Sequence, residues 1–308
     1  HIVREEDIPA LLSVGKEHLY VWEKQEGILH ENEAAEILYR ISADIHMHGS
    51  DIKEGKIELI ADCDGVLKIR RDALLAVNSL GEMMIASRHG DFPVKKGDKI
   101  AGTRIIPLVI EKSKMDKAEK VAGTKPIFSI LPYRSKKVGI ITTGSEVQKG
   151  LIKDTFTPVL KEKLDEFSCQ ILGQTLPGDE RSQITSDILS FIDQGADMVI
   201  CSGGMSVDPD DRTPGAIKDT GAEIVTYGAP VLPGAMLLLS YYQNNDKIIP
   251  ILGLPGCVMY ARRTVFDLIL PRIMADDRIC ADEIASYGEG GLCLNCDVCT
   301  FPNCGFGK

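Results

Sequence analysis

Two hydrophobic rhythms divide the chain. Up to about residue 135, short apolar runs and helical stripes follow one another in no regular order; from Lys137 onward, strand-sized apolar runs alternate regularly with helical stripes. In the first part Ile8, Leu11 and Leu12 form a short helical face stopped by Gly15, and 19–22 reads as a strand. Asn32 is placed to cap a helix whose stripe is Ala34, Ile37, Leu38, Ile41 and Ile45, broken at Gly49. The segments 56–61 and 66–70 flank Asp64-Gly65, a hairpin signal. A helix over 72–80 ends at Gly81, with strands predicted at 82–87 and 100–110. Residues 112–125 are charged and poor in large apolar side chains, which predicts a surface excursion. His46 and His48 stand two apart and read as a polar helix end rather than a metal pair, while Arg88 and His89 end a predicted strand from which they could reach a ligand, though nothing in the sequence requires it.

The second part begins with a strand at 138–141, followed by Thr142-Thr143-Gly144-Ser145-Glu146. A helix carries Phe156, Leu160, Leu164 and Phe167 on one stripe; a strand at 169–172 leads into Pro177-Gly178-Asp179-Glu180. Ile184, Ile188 and Ile192 mark the next helix. A strand at 198–201 then ends in Ser202-Gly203-Gly204, a loop carrying Asp208, Asp210 and Asp211, and Thr213-Pro214 opening a helix. After a helix at 216–220 and a strand at 223–226, the runs 235–239 and 248–252 form an antiparallel pair closed by Gly253-Leu254-Pro255-Gly256. Val265, Leu268, Ile269 and Ile273 face inward on the last helix. Such alternation predicts an α/β fold with a doubly wound, mostly parallel sheet, whose ligands sit outside the carboxyl ends of the strands. The loops 142–146, 177–180, 202–213 and 253–257 therefore share one rim. The expected organisation is an α+β N-terminal domain over 1–135, an α/β domain over 136–280 and a Cys-rich tail over 281–308.

Composition narrows the partners. A length of 308 residues suits about two domains, and the net charge of −10 argues against nucleic acid, since no large basic patch is evident. It leaves phosphate ligands open, because glycine loops and helix N-termini bind anions with little basic charge. No apolar run approaches the roughly 20 residues of a membrane span. The acidic opening is unlike a signal peptide, while His1 in place of Met leaves the natural start open. Cys63, Cys169, Cys201 and Cys257 stand singly and read as reduced core thiols, so a cytoplasmic setting is expected.

TTGSEV after a first strand, PGDE after a second, SGGMS after a third and LPG before the last helix together resemble the molybdopterin-binding domain of the molybdopterin adenylyltransferase and molybdopterin molybdenumtransferase families, over about 137–275. The resemblance implies that molybdopterin or its adenylylated form binds at Thr143, Gly144, Ser145, Glu146, Ser202, Gly203, Gly204, Ser206, Pro255 and Gly256. It implies Asp179 and Asp211 as catalytic carboxylates holding Mg²⁺, Asp211 being preferred over Asp208 and Asp210 because Asp211-Arg212-Thr213-Pro214 looks like the adenylyltransferase Asp-x-Thr-Pro segment. The activity implied is insertion of molybdate with Mg²⁺-assisted loss of AMP. A non-catalytic carrier of molybdopterin or finished cofactor is the alternative, and nucleotide pyrophosphate hydrolysis by a related fold ranks behind both. Molybdoenzymes or other cofactor-assembly proteins are the partners it suggests, with a homo-oligomer expected. The chain departs from the transferase pattern at Ser145, where Asp is usual, and at Cys257-Val258, where Asn-Pro is usual. As an independent reading, both aspartates are equally suited to the starts of helices, where carboxylates are favoured.

The tail adds a separate signal, Cys293-x2-Cys296-x2-Cys299-x4-Cys304. That spacing suits thiolate ligation of zinc or of an iron–sulfur cluster. A flexible reactive tail is the remaining reading, which the flanking glycines permit.

Overall fold

The computed structural model describes residues 3–18, 25–206 and 211–308. The strand expected at 19–22 and the carboxylates Asp208 and Asp210 lie outside the described residues. The N-terminal part comprises α1 (Ile8–Ser13), β1 (Ile28–His30), α2 (Glu31–Ser42), β2 (Met47–Gly49), β3 (Ile57–Ala61), β4 (Gly65–Ile69), α3 (Arg71–Asn78), β5 (Met83–Ser87), β6 (Phe92–Val94), β7 (Lys99–Ile105), β8 (Val109–Glu111), α4 (Lys112–Ala122) and β9 (Phe128–Pro132). Three small antiparallel sheets result, ordered β1-β8, β2-β3-β7-β5 and β6-β4-β9. Leu38, Leu59, Leu67, Ile85, Ile105 and Phe128 share their core.

Five local expectations change here. His30, not Asn32, caps α2: its ring accepts the Asn32 N–H at 3.3 Å, while the Asn32 side chain accepts from Gly55. The helix stops at Ser42, leaving Ile45 89% exposed, and His48 stands on a strand, paired with Asp62 at 2.7 Å. Asp64-Gly65 does not close a hairpin, because β3 and β4 enter different sheets. A Cβ at Gly65 would lie 2.3 Å from the Leu131 carbonyl, so this glycine permits the close pairing of β4 with β9 instead. The supposed surface excursion at 112–125 is α4, which buries Met115, Ala118 and Ala122 on one face; small side chains there let the helix approach the core.

The second part continues with β10 (Lys137–Thr142), α5 (Ser145–Gln148), α6 (Phe156–Asp165), β11 (Gln170–Thr175), α7 (Arg181–Asp193), β12 (Met198–Ser202), α8 (Thr213–Asp219), β13 (Glu223–Tyr227), β14 (Leu238–Asn244), β15 (Lys247–Leu254) and α9 (Val265–Met274). One sheet runs β11-β10-β12-β15-β14-β13, parallel through its first four strands and antiparallel at β14 and β13. Alternate strand residues feed opposite layers. Val138, Ile140, Ile200 and Leu252 meet Leu160, Leu164 and Ile269 on one face, while Ile141, Val199, Cys201 and Ile251 meet Ile184, Ile188 and Ile217 on the other. This burial on both faces is why the strands read as continuous apolar runs.

A last helix, α10 (Ala281–Ser286), precedes a tail fastened at both ends: Cys293 N–H donates to the Leu232 carbonyl and Gly307 N–H to that of Gly290, each at 2.8 Å. Phe306 is buried in the same core as α9. The two halves of the chain meet through Lys68, whose ammonium lies 2.5 Å from Asp91 and 2.8 Å from Asp277. Among the described residues, no helix is long and apolar enough to cross a membrane.

Candidate ligand-binding site

Strand register brings the loops level. Ile141 pairs with Thr175, Thr142 with Ser202, and Ser202 with Leu254, so the segments that follow all leave the sheet at its carboxyl edge. The first and third loops are then tied together by hydroxyls. Thr143 N–H donates to the Ser202 carbonyl at 2.8 Å, and its side chain lies 3.2 Å from the Thr213 hydroxyl. Thr213 in turn donates its hydroxyl to the Gly203 carbonyl at 2.9 Å and its N–H to that of Gly204 at 3.3 Å. Thr143, Ser202 and Thr213 are all buried, so this polar set is satisfied internally, as burial demands.

Gly203 and Gly204 have φ of +85° and +56°. A Cβ would come 2.6 Å from the Thr143 carbonyl at the first and 2.7 Å from the Thr213 hydroxyl at the second. Both positions therefore require glycine for conformation and for space. Among the described residues, the N–H groups of Gly203 and Gly204 have no protein acceptor. Two adjacent amides at the end of a buried strand can face an anion.

The second loop joins through Asp179. Its Oδ2 accepts both the N–H and the hydroxyl of Ser145, at 2.8 and 2.5 Å, and Gly144 N–H reaches the Gly178 carbonyl at 3.4 Å. Asp211 is half-buried just ahead of α8. Tyr227 stands beside it, donating to the Met205 carbonyl at 3.1 Å; burial, then the Asp211 charge, push its phenol above the usual range.

The structure thus places Thr143, Gly144, Ser145, Asp179, Ser202, Gly203 and Gly204 in one bonded lattice. Glu146, Ser206 and Gly256 are exposed around it, and buried Pro255 follows Leu254 directly. Thr213 and Tyr227 were missed as site residues: the Thr-Pro pair signals a helix start, and nothing near Tyr227 in sequence points to the glycine loop. Arg181, next to the second loop, is held away by Asp219, with two bonds of 2.6 Å.

Magnesium needs only one or two protein carboxylates when a ligand's phosphates and water complete its shell. Asp179 and Asp211 are carboxylates of the second and third loops, and Asp179 is already engaged at one oxygen. Among the described residues, no three His, Cys, Asp or Glu side chains are gathered closely enough to hold a metal ion. This applies equally to Cys293, Cys296, Cys299 and Cys304, which do not converge on one point as zinc ligands would. All four instead line a common cavity of about 690 Å³. The nine cysteines are free thiols. Of the supposed core thiols only Cys201 is buried, and burial pushes its pKa up; Cys63, Cys169 and Cys257 are half-buried.

Residues 1–23 match a family model described only as a domain of unknown function. The chain is 27% identical over 236 residues to a molybdopterin molybdenumtransferase of Haemophilus influenzae, covering 74% of this chain and 54% of that protein. It is 25% identical over 193 residues to a molybdopterin molybdenumtransferase of Synechococcus elongatus, covering 60% of this chain and 44% of that protein. It thus spans about half the length of these curated relatives. Among solved structures, the tungsten cofactor synthesizing protein MoaB from Pyrococcus furiosus is 17% identical, with 47% of this chain and 99% of that one covered and a TM-score of 0.39. Residues 139–275 match the model described as a probable molybdopterin binding domain.

Proposed function

We propose that the chain serves molybdenum cofactor assembly, binding molybdopterin or its adenylylated form at the four-loop rim and inserting molybdate with loss of AMP. The observation that carries this reading is the lattice of Thr143, Ser202 and Thr213 around Gly203-Gly204. It fixes two amides at the carboxyl end of a buried parallel strand, where a phosphate finds donors without basic side chains. The net charge of −10 makes such neutral donors the more valuable.

In this reading the amides of Gly203 and Gly204 hold the phosphate, and the hydroxyls beneath them prevent the loop from relaxing away. Asp211 and Asp179 would hold Mg²⁺, which when bound offsets the charge that develops as the phosphoanhydride breaks. Ser145 keeps Asp179 oriented toward the rim. One observation favours a second reading, that of a carrier. Asp179 spends an oxygen on Ser145, at a position where the transferase pattern has a further aspartate.

The test is incubation of the chain with adenylylated molybdopterin, molybdate and Mg²⁺, following AMP. Stoichiometric or catalytic AMP release supports insertion. Tight binding without AMP release supports the carrier. Absence of both binding and release contradicts the rim as a molybdopterin site.

A further inference from the structure

Outside the matched domain, the tail builds a second site. The cavity of about 690 Å³ is lined by Cys293, Cys296, Cys299 and Cys304 together with Arg262 and Arg263. Its frame is fixed. Cys293 N–H bonds the Leu232 carbonyl at 2.8 Å, Arg262 donates to the Asp297 carbonyl at 2.9 Å, and Lys308 donates to the Pro302 carbonyl at 2.7 Å. The Arg263 guanidinium lies 5.0 Å from the Phe301 ring centre, which closes one wall.

Zinc draws four thiolates to about 2.3 Å from one centre, which leaves no room among them. Here the four cysteines line one cavity of about 690 Å³, and no three of them meet at a single-ion distance. A larger inorganic group suits that arrangement. The C-x2-C-x2-C run is the spacing of bacterial cluster-binding loops, and a cluster held by four thiolates is anionic, so cations nearby favour it.

We infer that this cavity is the seat of a four-iron, four-sulfur cluster ligated by Cys293, Cys296, Cys299 and Cys304, with Arg262 and Arg263 offsetting its negative charge. Each ligating thiol gives up its proton when the cluster binds. The site is independent of the rim, although the segment 256–264 joins the fourth rim loop to the two arginines.

The test uses the full chain, purified without oxygen and reconstituted with equal amounts of ferrous and ferric iron and with sulfide, a mixture that supplies the two ferric ions of the oxidised cluster. The expected result is a broad visible absorption that bleaches with dithionite, and about four iron and four acid-labile sulfide per chain. Cys296→Ser and Cys299→Ser should each lower bound iron several-fold while the far-ultraviolet circular dichroism stays that of the parent. Cys280→Ser, outside the cavity, should retain the full complement. A colourless chain holding one zinc, a folded chain that takes up no iron, or full iron retention in the Cys296→Ser/Cys299→Ser double variant would each overturn the inference.

Discussion

Ser145 donates both its backbone N–H and its hydroxyl to one oxygen of Asp179, at 2.8 and 2.5 Å, and so fastens the loop after β10 to the loop before α7. Serine at this position is a partner to Asp179 rather than a second acid. Ser145→Asp should therefore set two half-buried carboxylates against each other and lower stability by about 1–2 kcal/mol in the absence of divalent cation. Thermal denaturation checks this. Millimolar Mg²⁺ should restore the variant's melting temperature more than it raises that of the parent, because a cation between two carboxylates relieves the repulsion. Equal responses would separate Asp179 from cation binding.

Gly204→Ala tests the glycine loop. The substitution forces a side chain into φ +56° and against the Thr213 hydroxyl at 2.7 Å. The left-handed conformation and the displaced hydroxyl together should cost about 2–3 kcal/mol, read as a lower denaturation midpoint at unchanged m-value. A neutral outcome would show that the loop relaxes freely, and the lattice would then not be holding the amides.

How much of this was legible in the sequence depended on burial. From Lys137 onward the strands are covered on both faces, so Val138–Ile141 and Met198–Cys201 stand out as apolar runs, and their order placed the loops at one edge. In the N-terminal part the strands are short and one-sided, and tertiary pairing overrides local signals. Asp64-Gly65 carries a turn signature, yet its glycine serves a backbone approach to Leu131. Helix α4 hides its apolar face in alanines. At the rim the glycines were readable because their conformation is local, whereas Thr213 and Tyr227 act through partners 10 and 22 residues away. The cysteine spacing was readable too. That the cysteines share a cavity with Arg262 and Arg263 depends on how the tail folds back on the domain.

Lys68→Met tests the junction between the halves. Burial alone would raise the pKa of Asp91, but the Lys68 ammonium, with Arg272 and Arg71 behind it, outweighs burial and holds the carboxyl below the usual range. A folded pKa below the unfolded one means that the stabilisation is complete above about pH 4 and is lost as pH falls through the folded value. The variant removes the cation that Asp91 and Asp277 share but leaves Arg71 on the first and Arg272 on the second, so it should be less stable than the parent by about 1–2 kcal/mol at pH 7. The gap should narrow below about pH 4. Urea denaturation across that range measures it, and a gap that widens on acidification would contradict the assignment.

Asp211→Ala should abolish AMP release while changing folding stability by less than about 0.5 kcal/mol, since the side chain is only half-buried ahead of α8. The paired readouts are the AMP assay and thermal denaturation. Undiminished turnover in the variant removes Asp211 from the chemistry.

Equilibrium binding of molybdopterin, followed by the pterin's own fluorescence, tests the central claim most directly. The parent chain should bind saturably with one molybdopterin per chain. Thr213→Val, which removes the hydroxyl under Gly203, should weaken binding by about tenfold, equivalent to roughly 1.4 kcal/mol. Cys296→Ser, in the tail, should leave the affinity unchanged. Absence of saturable binding to the folded chain, or an affinity indifferent to Thr213→Val and Gly204→Ala, would contradict the rim as the molybdopterin site.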